Sequence, residues 1–177
     1  MFKPLLLSAA AALALSACAS TQADMQADAA MAAGDMTPTQ RGAYVEMAAA
    51  SDLFEIQTGR MAAERGGSAA VRQFGQMLVQ HHTQTTAQLT AAATAAGTMP
   101  TPDLMPMQER MVAELRAASG ASFDQVFLRQ QVTAHEMALA LHSNYASSGD
   151  TPALRAVASA AVPIVRQHLE QARTMRM

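Results

Sequence analysis

The chain has 177 residues, a length that suits one domain with a tail. Half of it is hydrophobic, much of that alanine, with 4% aromatic residues and no tryptophan. Alanine loses no rotamer freedom in a helix, and no alternating run of Val, Ile, Tyr and Thr offers a strand. Fourteen acidic residues face twelve basic ones; without Lys3 and the three aspartates before Thr37, 11 Arg face 11 Asp and Glu. Such a neutral domain lacks the basic footprint that nucleic acid requires.

The expected fold class is all-α. Residues 1–17, MFKPLLLSAAAALALSA, carry one positive charge and an apolar run that ends in small residues, the pattern of an export signal. The run is short for a membrane span. Leu15-Ser16-Ala17-Cys18 resembles the bacterial lipobox, which makes Cys18 the expected lipidation site. An ordinary signal peptide with a chance cysteine is the alternative. Because Cys18 is the only cysteine, an internal disulfide and any multi-cysteine metal site are excluded. In lipoproteins of this type a non-acidic residue after the cysteine, here Ala19, goes with the outer membrane, so the expected location is lipid-anchored there and facing the periplasm. Residues 18–36 read as a polar, lipidated tether, and residues 37–177 as the folded domain.

The first long helix is expected to start at Thr37-Pro38, a cap followed by proline at the first helical position, and to stop at Gly66-Gly67. Ser68 caps the second, whose stripe Val71, Phe74, Leu78, His82, Thr85 and Leu89 keeps helical spacing up to Gly97. A proline-punctuated connection leads to a shorter helix around Met107–Ala118. Ser122 or Asp124 opens a fourth, which stops at Gly149, and Thr151-Pro152 opens the last. Four long helices and one short connector imply a ferritin-like four-helix bundle with a crossover helix. Phe74 and His82 are eight residues apart, and Phe127 and His135 repeat that interval.

Three helices each turn a histidine towards the interior. His82 lies on the stripe above. His135 and His142 share a line with Leu128, Val132 and Leu139, while His168 follows Leu154, Ala161 and Val165. Glu55, between Phe54 and Ile56, is the best partner from the first helix. Counted from the nearest tight turn at 1.5 Å per residue, Glu55, His82, His135 and His168 fall within roughly 10 Å of one height. Three imidazoles and a carboxylate suit one Zn²⁺, Cu²⁺, Ni²⁺ or Fe²⁺ ion. Either His81 or His82 can be the inward residue, because both lie near the centre of the stripe. The alternative is structural: buried imidazoles that hydrogen-bond Glu55, Thr85, Gln131 or a carbonyl, and bind nothing.

These residues carry a family resemblance over about Tyr44 to Met175. Phe74-Gly75-Gln76-Met77-Leu78-Val79-Gln80-His81-His82 resembles the Phe-Ala-x-x-Met-Val-x-Asp-His of an exported bacterial family, domain of unknown function 4142. His81 stands where that family usually has aspartate. Phe123-Asp124 with His135, Pro163 with His168-Leu169, and Glu55-Ile56 with Gly59 match its other motifs, with Phe127 in place of a tyrosine. The resemblance implies a ferritin-like helical fold and no particular activity.

Di-iron bundles need Glu-x-x-His on two helices, and this chain has none, so no di-iron centre is expected. Met99, Met105, Met107 and Met111 crowd the connector; thioethers suit Cu(I), although methionine also fills irregular gaps in alanine-rich cores. A non-covalent haem held by His and Met is a further reading, whereas covalent haem lacks its Cys-x-x-Cys-His. No hydrolase or phosphate-loop motif occurs, and no enzyme is expected. The rival class is a structural lipoprotein that binds another envelope protein or a second copy of itself.

Overall fold

The computed structural model describes residues 36–101 and 103–176. Among these residues there are five helices and no strand: α1 (Arg41–Arg65), α2 (Ala69–Ala95), α3 (Pro106–Ala117), α4 (Ala121–Ser148) and α5 (Pro152–Arg176). The export signal over 1–17, Cys18 and the tether up to residue 35 lie outside the described residues.

α1 and α2 form one hairpin, and α4 and α5 the other. α1 packs on α2 and α4, and α5 packs on the same two helices, so α2 and α4 face each other across a diagonal. Asp124, at the start of α4, accepts hydrogen bonds from Gly67 N (2.8 Å) and Ser68 N (3.1 Å) at the start of α2. These two helices therefore run in the same direction, and every adjacent pair is antiparallel. Joining two parallel helices takes a connection that returns along the bundle. Residues 96–120 supply it, with α3 laid against α1 and α4 and its Val112 and Leu115 buried. α2 stops where Gly97 turns left-handed at φ 73 and Thr98 N reaches back to Ala93 O at 3.0 Å.

Two helix starts differ from the sequence reading. α1 begins at Arg41, because residues 37–40 are tied to the α4–α5 turn instead of winding into helix. Asn144 donates to Thr37 O (2.7 Å), Asp150 N donates to Thr39 O (3.0 Å), and Asp150 Oδ2 accepts from Arg41 N (3.1 Å). A cap from the other hairpin thus outweighs the local Thr37-Pro38 signal, and Met36 already packs on the core. α4 begins at Ala121 behind Gly120, whose φ of 54 breaks the chain direction, and Ser122 bonds back to Ser119. Asp124 is occupied with the α1–α2 turn. Ser68 caps α2 as expected, accepting from Val71 N at 3.1 Å.

The interior has three zones. One apolar cluster holds Tyr44, Leu89, Leu141, Tyr145 and Leu154; the other holds Phe74, Leu78, Leu115, Phe123, Phe127 and Leu169. Each buried side chain of this size stabilises by roughly 1.5–3 kcal/mol. Between the clusters the four long helices turn inward Asp52, Glu55, Thr58, His82, Gln131, His135 and His168, all buried. Polar groups placed there are costly unless they bond to one another or to a ligand. Beside this layer α1 and α2 touch backbone to backbone: a Cβ on Gly75 would lie 2.5 Å from Gly59 O. Only glycine allows that approach, which draws the acidic face of α1 up to His82.

Candidate metal centre

Each imidazole of the layer is oriented by one of its two nitrogens. His82 Nδ1 lies 2.7 Å from Asp52 Oδ1, and that carboxylate also accepts from the hydroxyls of Thr85 (2.9 Å) and Thr86 (3.1 Å) one turn further along α2. Nδ1 must therefore carry a proton, and Nε2 is the nitrogen of His82 that is left over. It is buried and has no hydrogen-bond partner. His135 Nδ1 donates to Gln131 O at 2.9 Å, so in this neutral ring Nε2 is unprotonated, 3.3 Å from His168 Nδ1. His168 Nε2 meets His81 Nδ1 at 2.8 Å, with the two rings within 12° of parallel and their centres 5.1 Å apart. Rings so placed lie nearly in one plane and join through their nitrogens.

His82, His135 and His168 each offer one ring nitrogen, and these nitrogens lie within 4.8 Å of one another. Ligands on a tetrahedral ion at Zn–N or Cu–N lengths stand about 3.3 Å apart. The His135–His168 pair already has that spacing, and His82 would close by at most about 1.5 Å to complete it. Asp52 and His81 sit behind two of these imidazoles, where a metal-bound histidine ordinarily hands its other nitrogen to a partner.

The structure brings His82, His135 and His168 together as the sequence reading grouped them. It places Glu55 differently: its Oε1 is 3.6 Å from His135 Nδ1, on the far side of that ring, and its Oε2 is unpartnered and buried. Glu55 therefore neighbours the cluster without belonging to it. His81 is only half-buried and holds His168 from outside, so both adjacent histidines reach the site, in different roles. His142 points away, its Nδ1 accepting from the Tyr44 hydroxyl at 3.1 Å. Asp52 is the residue that sequence reasoning missed. The signal was present, since Asp52 precedes Glu55 by three residues and shares its face of α1.

Burial decides the protonation of this layer. It pushes His135 down to about 3, with the His82 charge adding to the effect, and His168 to about 2, helped by the other histidines. Both are neutral imidazoles at neutral pH. For His82 burial acts the same way, but the hydrogen bond to Asp52 and the charges of Glu55 and Asp52 outweigh it and raise its pKa. Burial raises Glu55 to about 7.

The chain's family follows from its helices and their motifs together. It belongs to the Domain of unknown function (DUF4142) family, whose model matches residues 21–175. No protein of curated function matches this DUF4142 chain in sequence. Among solved structures it is similar to a DUF305 fragment from Deinococcus radiodurans, with TM-score 0.68 and 18% identity over 79% of this chain and 97% of that one. CopM in its Cu(II)-bound form gives TM-score 0.66 and 16% identity over 77% and 95% of the two chains. The Ag-bound form obtained by co-crystallisation gives 0.64 and 16% over 76% and 93%. At these identities the likeness is one of fold.

Proposed function

We propose that this chain is an envelope lipoprotein that holds a single transition-metal ion, copper foremost, at His82, His135 and His168, and that it turns over no substrate. The observation that carries the reading is the buried Nε2 of His82, a nitrogen with no hydrogen-bond partner, within 4.8 Å of a ring nitrogen on each of two further imidazoles. Leaving such a group bare in the interior costs about 1–3 kcal/mol, and a cation removes that cost. Asp52 and Glu55 lie in the same layer with no lysine or arginine among its members, so the charge of a divalent ion would be balanced there. Neutral imidazoles suit Zn²⁺, Ni²⁺ and Fe²⁺ as well. Copper comes first because CopM, which has the same fold, is known in Cu(I)- and Cu(II)-bound forms. The anchor at Cys18 and the outer-membrane location belong to the same proposal; a chain released from the membrane fraction by Cys18→Ala supports them, and one already free does not.

The test is elemental analysis of the full chain purified without an affinity tag, with melting followed with and without chelator. At least one equivalent of metal and a melt lowered by chelator are expected, and His82→Ala should weaken binding at the histidine layer by more than about tenfold while helix content is kept. An empty chain whose melt ignores added copper and chelator would sink the reading. A second reading would then stand, that of a purely structural layer. The continuous chain His81–His168–His135–Gln131 favours it, because it satisfies three of the four imidazoles without any ion.

A further inference from the structure

A separate feature lies on the other side of α1 and α4. Where α3 crosses these helices, a cavity of about 30 Å³ is lined by Met36, Met47, Met105, Met107, Met111 and Met137. That volume is on the scale of one water or one ion. Six of the chain's 14 methionines thus converge on one small space, from the segment before α1, from α1, from the start of α3 and from α4. Five of the six are half-buried, which leaves the cavity reachable from solvent, while Met47 is covered. No acidic or basic side chain lines it; Ser51 and Gln108 are its polar members, and Gln108 Oε1 is already engaged by Met105 N at 2.9 Å.

We propose that this methionine-lined cavity is a second metal site, for a soft monovalent cation, Cu(I) or Ag(I). A thioether is a neutral, polarisable donor that binds such ions well and competes poorly for hard or strongly hydrated divalent ones. Methionine's unbranched side chain lets several sulfurs swing towards one point at little steric cost. The walls carry no charged side chain, which disfavours a divalent ion more than a monovalent one. The site is distinct from the histidine layer, although it backs onto it: Ser51 and Ala134 line the cavity, and their chain neighbours Asp52 and His135 belong to the layer.

Ligand atoms separate the two sites, thioether sulfur at one and imidazole nitrogen at the other, and protons do not compete for a thioether near neutrality. The experiment titrates the full chain and its His82→Ala variant with Ag(I), in chloride-free buffer near neutrality and near pH 5, and records X-ray absorption of the bound silver. In His82→Ala about one equivalent should remain bound at the lower pH with a sulfur-only shell. Met105→Leu/Met107→Leu/Met111→Leu should weaken that binding at least about tenfold with little change in melting, since Leu conserves volume. If this triple variant melts early, Met111→Leu and Met137→Leu are read singly, each expected to weaken binding by several-fold. His82→Ala should leave the acid-stable site intact. A nitrogen or oxygen shell overturns the proposal, as do unchanged affinity in the leucine variants or loss of the acid-stable silver in His82→Ala. Failure of the histidine layer to bind any metal would leave this second site standing.

Discussion

At the scale of single residues, the layer sets an acid limit on stability. His135 and His142 are buried and neutral in the fold, held down to about 3 and about 4, first by burial, while an unfolded histidine titrates near 6.5. Between those values the unfolded chain binds more protons, so their contribution is complete above about pH 6.5 and is lost as pH falls towards 4. Glu55 and His82 act in the opposite sense, because the fold raises both and holds their protons more tightly. The lowered histidines, His168 among them, outnumber these two. Urea midpoints of the metal-free chain should therefore drop between pH 7 and 4.5, and a midpoint that rises would reverse the assignment. His142→Leu should make the drop shallower and cost about 1–3 kcal/mol at neutral pH, because the Tyr44 hydroxyl loses its acceptor. The three clustered histidines were legible in the sequence, since each sits on an apolar stripe where an imidazole stands out. Asp52 was missed although it shares the face of Glu55, because a carboxylate beside serine reads as a solvated face until α2 is laid over it. The division of work between His81 and His82 was also hidden; it depends on how far α5 reaches round α2, which no period within α2 encodes.

At the scale of the helices, stops were easier to read than starts. Gly97 ends α2 in a left-handed turn, while Gly66 and Gly149 follow α1 and α4 at negative φ, where a Cβ would lie 2.7 Å from Ala62 O and 2.6 Å from Tyr145 O. α1 and α4 start where they do because of partners more than a hundred residues away or around a glycine of positive φ, so a local cap signal misled. The contact of α1 with α2 at Gly59 and Gly75 is the element-level feature with the clearest consequence. A methyl group on Gly75 would meet Gly59 O at 2.5 Å and Ala63 N at 2.8 Å, both rigid backbone atoms. Gly75→Ala should therefore cost about 1–3 kcal/mol by chemical denaturation even though alanine is the better helix former. It should also weaken metal binding, since pushing the helices apart withdraws Asp52 from His82. A stabilised Gly75→Ala chain would mean that the helices part without effort.

At the scale of the whole molecule, the bundle and its crossover could be read from helix lengths and turn spacing, because two tight turns and one long connection leave few ways to pack four helices. The repeat of Phe and His eight residues apart on α2 and α4 also acquires a meaning. These helices are the parallel diagonal pair, and Phe74 meets Phe127 edge-on at 6.0 Å just as His82 meets His135 at 5.8 Å. What the sequence did not show is the methionine cavity, which exists only because α3 lies across α1 and α4. The crossover has one more consequence. It is the only covalent link between the two hairpins, and the histidine cluster is divided between them, His82 on one and His135 with His168 on the other. A chain nicked within residues 98–101 should behave as two fragments whose affinity for each other is set by the ion: co-eluting with copper present, and separating at lower urea once a chelator is added. In that state the bundle would be a complementation pair, and under the proposed metal binding its assembly would report the ion as an on-off signal.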